Sequence, residues 1–391
     1  MPDQDFDVAV VGLGIMGSCA LWQLAARGVA AVGLDRFDPP HDLGSSHGHS
    51  RMLRRVQFEG DEYVPLAKRA YELWNQLERE TGRALFTRTG LLIIGPASSQ
   101  LIRGGRESAR RHGVDHELLD ARALRTRYPQ HRVGDSDGAL FDPEAGFISP
   151  EEAIAAALAR ATALGATVRR NCEVRSLKSS AGGVELETAG GRVRARHAVV
   201  AVGTWLGALV PELAASIGIE RHFFAWVPVR EPARFTPDRF PMFIRENSAR
   251  TGTSIEDSHA HQERILAFGI PTPDGRRLKV GFPVTGTPAA SPTLHREPRP
   301  EELAMIEGGL LGELLDGVGT EIGDFTACLY DNSPDGHFIV GSARLPGVTV
   351  LGGFSGHGFK HATAVGEIAA ALAVNDRPPL DVSRFGPGRL R

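Results

Sequence analysis

Apolar and polar positions at the start of the chain predict a strand, a helix and a second strand. Residues 7–11 form a short apolar run, residues 15–27 have the composition of a helix that ends at Gly28, and residues 31–34 return as a parallel strand. Together they span about 30 residues, the length of one βαβ unit. The start of the chain therefore predicts an α/β fold.

The remaining pattern predicts more helices and a strand-rich region in the middle of the chain. Leu66, Ala70 and Leu73 recur at helical spacing, so residues 63–81 are predicted to form a helix that Gly82 ends. Helices are also expected at residues 151–164 and 300–315, and strands at residues 167–170, 184–188 and 197–201. Short apolar runs between turn residues predict an antiparallel sheet from residues 223–229, 240–245, 265–270 and 278–282. Residues 348–374 are predicted to form a strand, a glycine loop and a closing helix.

Composition disfavours several classes of protein. The 391 residues are 42% hydrophobic and 23% charged with a net charge of −3, which gives no reason to expect nucleic acid or an anionic membrane as a partner. Cys19, Cys172 and Cys328 lie far apart without a CxxC motif, which disfavours a disulfide framework or a metal site. No apolar run reaches the roughly 18 residues of a membrane span. We expect a cytoplasmic protein of two domains, without a metal.

The segment Gly12-Leu13-Gly14-Ile15-Met16-Gly17 follows the first strand. Its first glycine permits a tight turn, its second lets a pyrophosphate approach the backbone, and its third lets helix and strand pack closely. The helix that starts here offers free N–H groups to phosphates. Asp35, at the end of the second strand, can accept hydrogen bonds from ribose hydroxyls and disfavours a 2′-phosphate. The sequence predicts a dinucleotide site that includes Arg36.

A second glycine-rich loop, Gly356-His357-Gly358-Phe359-Lys360, lies near the other end of the chain. A nicotinamide enzyme usually completes its cradle within one continuous half of the chain, whereas here both ends contribute. The arrangement therefore favours FAD over NAD. We predict an α/β fold with a Rossmann-like FAD-binding domain (residues 1–85, 143–215 and 325–391). Inserted into it is an α+β substrate domain with an antiparallel β-sheet (residues 86–142 and 216–324).

Small and basic residues fill the loop from Gly44 to Arg54. Small residues such as Ser45 and Ser50 let the backbone approach a planar ring, while Arg51 and Arg54 supply fixed positive charge. Arginine suits a carboxylate or a reduced flavin anion, because its planar fork bonds bidentately. The alternative is that these arginines only neutralise surface acids.

Several segments, in order along nearly the whole chain, resemble one enzyme family. The loop 44–54 with Tyr63-Val64-Pro65-Leu66-Ala67, and the C-terminal segments 327–335 and 354–360, are similar to the monomeric sarcosine oxidase and N-methyltryptophan oxidase family of flavoprotein amine oxidases. Ala225-Trp226 and Leu278-Lys279-Val280-Gly281 also match. The two C-terminal segments are far more specific than the glycine pattern. The resemblance implies an FAD-dependent amine oxidase, expected to be a monomer.

The resemblance implies roles for residues around the flavin. Cys328 takes the position that forms a thioether to the flavin 8α-carbon, with His47 supporting the attachment and Arg51 against the ring. An isolated cysteine in an apolar segment is otherwise a buried small hydrophobe. Lys279 takes the position of a lysine that activates oxygen by stabilising developing superoxide, although strand alternation alone would make it solvent-facing. Cofactor contacts are also implied for Val174, Gly203, Trp205, Gly356, His357, Gly358 and Phe359.

The resemblance also implies the substrate site. Arg54 and Lys360 match a pair that grips the substrate carboxylate, with Lys360 on the cofactor side and Tyr330 in the same pocket. The expected partners are therefore a small amino acid substrate and O2.

Three positions depart from the sarcosine oxidase pattern. Ile244 and Phe268 replace a methionine and a tyrosine, and Pro283 replaces a histidine, so the pocket loses polar groups. We expect oxidation of a bulkier secondary amino acid, N-methylated or cyclic, to an imine that water hydrolyses, while O2 is reduced to H2O2. The alternatives are a flavin dehydrogenase with another electron acceptor and a flavin-binding protein without turnover. The polar excursion at residues 247–262 has no assigned role.

Overall fold

The computed structural model of the protein describes residues 5–96, 98–180, 182–246, 265–283, 287–288 and 296–390. The predicted excursion at residues 247–262 lies outside them. The strands are β1 (Asp5–Val11), β2 (Ala31–Leu34), β3 (Arg51–Leu53), β4 (Phe86–Arg88), β5 (Leu91–Pro96), β6 (Glu117–Asp120), β7 (Asp137–Asp142), β8 (Gly146–Ile148), β9 (Thr167–Arg169), β10 (Val174–Ser180), β11 (Gly183–Thr188), β12 (Gly191–Val200), β13 (Gly218–Pro228), β14 (Met242–Glu246), β15 (Ile265–Pro271), β16 (Arg277–Gly281), β17 (Thr287–Pro288), β18 (Asp324–Asn332), β19 (Ile339–Ser342) and β20 (Val348–Gly352). The α-helices are α1 (Ile15–Ala26), α2 (Tyr63–Thr81), α3 (Gln100–Arg111), α4 (Ala121–Arg127), α5 (Pro150–Ala163), α6 (Leu206–Leu209), α7 (Pro300–Glu307), α8 (Leu310–Leu314) and α9 (Ala362–Ala373). Short 3₁₀ turns lie at Gly203–Trp205, Pro211–Ser216, Pro232–Arg234, Phe359–His361, Ser383–Phe385 and Pro387–Arg389.

The first sheet has the order β10-β11-β12-β1-β2-β9, with β20 also beside β12 and β19 beside β20. β1 runs parallel to both β2 and β12, and Val8 lies opposite Ala31. Strands of this kind are buried on both faces, and helices α1, α2, α5 and α9 share one hydrophobic core with them. Gly366 allows α9 to approach α1 closely, because a Cβ there would lie 2.6 Å from the carbonyl carbon of Cys19. The predicted Rossmann-like architecture is confirmed.

The second sheet has the order β17-β13-β16-β15-β14-β5-β7-β6, with β18 also beside β13. Every pairing in it is antiparallel except that of β14 with β5. The predicted antiparallel sheet is therefore present, with one parallel contact. β18, which carries Cys328, joins this sheet and then leads into the C-terminal part of the first sheet. The domain boundaries given above stay a prediction.

Two local differences from the predicted elements have clear physical causes. Strands β3, β8 and β4 form a small sheet in which β3 interrupts the expected loop, and three-residue strands leave no periodic pattern to read. The single helix predicted over residues 300–315 is two helices, α7 and α8. Gly308 and Gly309 separate them, and Gly309 adopts a φ of +90° that ends helical geometry.

Candidate active site

The glycine turn after β1 is shaped by close backbone contacts. Gly12 has a φ of +87°, and a Cβ there would lie 2.6 Å from the carbonyl oxygen of Ala201. A Cβ at Gly17 would collide with the carbonyl oxygen of Gly12, so only glycine lets α1 start directly beneath the turn. A Cβ at Gly14 would instead meet only Ser46, on the side of an open cavity. These features fit a turn that a phosphate approaches.

The Asp35 carboxylate joins this turn to the segment that follows β2. It accepts hydrogen bonds from the N–H of Leu13 at 2.7 Å and from the N–H of Phe37 at 2.8 Å. An ionised carboxylate has about four acceptor sites, so Asp35, which lines the cavity, retains capacity for the hydroxyls of a ribose.

A cavity of about 400 Å³ lies beside the turn. The predicted cofactor residues that line it are Gly12, Gly14, Ile15, Met16, Asp35, Arg36, Ser45, Arg51, Val174, Gly203, Trp205, Gly356, Gly358 and Phe359. Gly17 packs beneath the turn instead. Sequence reasoning missed Cys172, Glu173 and Thr204, which also line the cavity. Their positions after β9 and β12 were a usable signal, because parallel strands place their carboxyl ends at one sheet edge.

A second cavity of about 150 Å³ shares Arg51, Tyr330, Gly356 and Phe359 with the first, so the two adjoin. Its apolar lining consists of Met52, Phe58, Phe224, Ile244, Ile265, Phe268, Ile270 and Pro283. Apart from the shared residues, its polar and charged lining consists of Ser50, Arg54, Glu59, Lys279, Ser355, His357 and Lys360. The residues predicted to hold the substrate thus surround one space, although they come from distant parts of the chain.

Lys279 lies on β16, which is paired on both sides in the second sheet. Its side chain is 2% exposed, and its Nζ donates hydrogen bonds to the carbonyl oxygens of Gly48 at 2.6 Å and Ser50 at 3.0 Å. The rings of Phe224 and Trp226 each lie 5.2 Å from Nζ. Burial lowers the pKa of Lys279 well below its usual value, and the charge of Arg51 lowers it further. The solvent-facing alternative for this lysine is wrong.

Cys328 is fully buried on β18 and lies against the loop 44–54. Its sulfur is 3.1 Å from Nη2 of Arg51, and His47 is a second basic neighbour. Burial alone would raise the pKa of the thiol, but the charge of Arg51 and the proximity of His47 and Lys279 lower it to about 6. A thiolate is the nucleophilic form of cysteine. The side chain thus differs from an inert buried cysteine such as Cys19, whose pKa burial raises.

Arg54 and Lys360 face one another across Glu59. The Glu59 side chain is 5% exposed and forms a close ion pair with Arg54, and it accepts a hydrogen bond from Lys360 Nζ at 3.3 Å. Lys360 also donates to the carbonyl oxygen of His357 at 2.8 Å. Burial lowers the pKa of Lys360 to about 7, against the opposing influence of Glu59. Two cations therefore converge at the second cavity, with one internal carboxylate between them.

The ring of Tyr330 packs against a histidine ring. The ring of His222 stacks on Tyr330 with centroids 4.0 Å apart, and its Nε2 lies 3.2 Å from Oε2 of Glu220. These residues come from the paired strands β13 and β18, in which Glu220 lies opposite Tyr330. Sequence reasoning missed His222 and Glu59. His222 acts through Tyr330, which is distant in sequence, and the contact of Glu59 with Lys360 joins residues 301 positions apart.

His357 is held by its side chain as well as by the glycine loop. Its Nε2 lies 3.1 Å from the carbonyl oxygen of Gly336, and burial together with the charge of Lys360 lowers its pKa to about 3. The ring is thus neutral at ordinary pH and lines the second cavity.

A family model described as "FAD dependent oxidoreductase" matches residues 7–372. The chain belongs to this family. Monomeric sarcosine oxidase of Streptomyces avermitilis is 36% identical, over 98% of each chain, and N-methyl-L-tryptophan oxidase of Yersinia pestis is 34% identical over 99% of this chain and all of the relative. The solved structure of NikD, an amino acid oxidase essential for nikkomycin biosynthesis, superposes with a TM-score of 0.82 at 25% identity, with 98% of each chain covered. The predicted family resemblance is confirmed.

The residues present fit the family's FAD. The first cavity offers a glycine turn, a helix N-terminus and a carboxylate, and its volume is in the range of cofactor sites. In this flavoenzyme Arg51 lies where the two cavities meet, so its charge adjoins both. Among the described residues, no cluster of three or more histidine, cysteine or acidic side chains could hold a metal ion. Within the same ranges, no helix has the length and apolar character that a membrane crossing requires.

Proposed function

We propose that this flavoenzyme oxidises the secondary amine of an N-methylated or cyclic amino acid that carries an apolar side chain. The amine loses two electrons and two protons to become an imine, which water hydrolyses, and O2 is reduced to H2O2. When bound, FAD supplies the chemistry by accepting the electron pair from substrate and passing it to oxygen. The observation that carries the proposal is a cavity with a largely apolar wall and the adjacent buried cations Arg54 and Lys360, adjoining the cofactor cavity.

Arg54 and Lys360 are the residues that would bind the substrate carboxylate. Both side chains are about 4% exposed, so a carboxylate beside them interacts with little screening by solvent. Glu59 already pairs with both cations, and a substrate carboxylate must therefore share them with it or displace it. The resulting site selects an anion at one end of the substrate.

The apolar lining would bind the rest of the substrate. Ile244 and Phe268 lie opposite one another on β14 and β15, and Phe268 also contacts Phe224 with ring centroids 5.7 Å apart. Burying a leucine-sized side chain against such a surface contributes about 1.5–3 kcal/mol, or roughly 10- to 150-fold in kcat/KM. An apolar amino acid should therefore outperform sarcosine.

We further propose that FAD is held covalently through Cys328, and that Lys279 promotes the reaction with O2. The thiol has the low pKa and the cationic neighbours that favour its nucleophilic form. Lys279 provides a fixed ammonium at the second cavity, where developing negative charge on oxygen would be stabilised. We also propose a cytoplasmic location, since the three cysteines are far apart, as is usual in a reducing compartment. We propose a monomer, since one relative is named as monomeric.

The test is a substrate panel read out as H2O2 and as kcat/KM. It contains sarcosine, N-methyl amino acids with large apolar side chains, cyclic amino acids and the decarboxylated counterpart of each. Apolar amino acids should give the highest kcat/KM, and the decarboxylated compounds should be poor substrates. A preference for sarcosine would refute the argument from the apolar lining. Reduction of a dye by substrate without H2O2 formation would identify a dehydrogenase instead.

A further inference from the structure

Glu151 makes a specific contact with the loop that carries the basic residues of the site. It lies in the first turn of α5, and its Oε1 accepts hydrogen bonds from the N–H groups of Gly48 at 2.6 Å and His49 at 3.2 Å. The hydroxyl of Ser149 donates to its other oxygen at 3.2 Å. A half-buried carboxylate with three donors is held in one geometry.

The same loop peptide contacts Lys279 on its other side. The carbonyl oxygen of Gly48 accepts the 2.6 Å hydrogen bond from Lys279 Nζ, and this carbonyl belongs to the peptide group whose N–H is that of His49. One peptide therefore separates the carboxylate of Glu151 from the ammonium of Lys279. With standard peptide dimensions, the two charges lie within roughly 8 Å of one another.

The conformation of Gly48 makes this bridge possible. Its φ is +92°, which favours glycine, and a Cβ there would lie 3.4 Å from Lys279 Nζ. The backbone can therefore approach the ammonium directly.

Within the described part of the chain, the charged groups that face Lys279 come from three elements: Arg51 of β3, Cys328 of β18 and Glu151 of α5. Burial and Arg51 lower the pKa of Lys279, whereas Cys328 and Glu151 raise it. The rings of Phe224 and Trp226, on β13, add no formal charge. A thioether at Cys328 would remove its negative charge, which would leave Glu151 as the anion of this set.

We propose that Glu151 is a positioning residue that keeps Lys279 protonated and in place through the Gly48–His49 peptide. This inference deepens the proposed function. The coupling between Glu151 and Lys279 is independent of that function, and only its effect on the reaction with O2 rests on it. Replacing Glu151 by glutamine preserves acceptors for both N–H groups and removes the charge. At about 8 Å and an effective dielectric constant of about 20, the lost attraction lowers the pKa of Lys279 by about 1.5 pH units.

The small number of lysines in the sequence allows the pKa of Lys279 to be measured directly by NMR. Lys68, Lys178, Lys279 and Lys360 are its only lysines, so holoenzyme labelled with ¹³C at lysine Cε gives four signals. Single substitutions assign them. The Lys279 signal should titrate about 1.5 pH units lower in Glu151→Gln than in the wild type. The matched control is Glu152→Gln, which removes the exposed neighbouring carboxylate that pairs with Arg83 and should leave Lys279 unchanged.

An unchanged Lys279 titration in folded Glu151→Gln would overturn the proposal. Should that variant not fold, the reciprocal measurement decides. Lys279→Met should raise the pKa of Glu151 by the same amount, which is measured from the ¹³C-carboxyl signal of Glu151. An unchanged pKa of Glu151 would equally overturn the proposal. Flavin reoxidation by O2 is measured separately. A shifted Lys279 pKa with unaltered reoxidation would leave the coupling intact and reject the proposed oxygen-activating role of Lys279.

Discussion

Carboxylate binding should weaken as pH rises through the range in which Lys360 loses its proton. Lys360 is about 4% exposed, and burial and Arg54 lower its pKa to about 7 in the ligand-free protein. Below this pH the ammonium is present and attracts an anion beside it. Above it, a neutral amine retains only a hydrogen bond. A bound carboxylate in turn favours the ammonium, so its presence raises the pKa of Lys360.

Proton linkage sets the size of the effect. Between the pKa of Lys360 without ligand and its higher pKa with ligand, binding takes up one proton, and Kd rises by about tenfold per pH unit. Replacing Lys360 by methionine removes a charge-assisted hydrogen bond worth about 1.5–3 kcal/mol, roughly 10- to 150-fold in Kd at pH 6.5. A guanidinium stays charged in proteins, so the variant should lose most of the dependence of Kd on pH.

The assay is calorimetric titration from pH 6 to 9 with an unreactive carboxylic acid that lacks an amine, so that no ligand group titrates. The control is Lys178→Met, which removes an exposed lysine on β10 and should keep the wild-type slope. A wild-type Kd that is constant over this range would refute the reasoning. So would a Lys360→Met variant that keeps the full slope.

Two further predictions concern the cofactor. Cys328→Ser should release the flavin into the supernatant after acid denaturation while the wild type and Cys172→Ser retain it with the polypeptide; release from the wild type would rule out the covalent bond. Lys279→Met should slow reoxidation of the reduced flavin by about 10²- to 10³-fold in stopped-flow measurements, with substrate reduction little changed, whereas equal slowing of both half-reactions would indicate a packing defect.

Strongly periodic elements of the fold were predictable from the sequence. Helix α2 runs over Tyr63–Thr81 as predicted, because its apolar positions repeat at helical spacing and Gly82 follows in a left-handed conformation with a φ of +68°. Strand β2 also has its predicted bounds. Strand β10, at the end of the first sheet, was not predicted, because apolar and polar residues alternate only weakly along it.

The candidate site was predictable mainly where a segment resembled a known family. Lys279 illustrates why periodicity alone fails. Alternation favoured a solvent-facing side chain, whereas the loop with Gly48 and Ser50 covers this side chain and accepts hydrogen bonds from its Nζ. Glu151 lies 103 residues from Gly48, and no local pattern encodes that contact. Such pairs depend on how the sheets and helices pack, which sequence periodicity does not specify.

The positions of the few lysines among the basic residues are informative about the site. The sequence has 44 basic residues, of which only four are lysine, and two of those four are buried at the second cavity. Arginine stays charged in proteins, whereas a buried lysine can change its charge within the range of physiological pH. Lysine is also a compact point charge, and it fits between carbonyl oxygens at 2.6 and 3.0 Å, as Lys279 does. Lysine is thus used at the second cavity as a small, adjustable cation, so Lys279→Arg and Lys360→Arg should be poor replacements despite their retained charge.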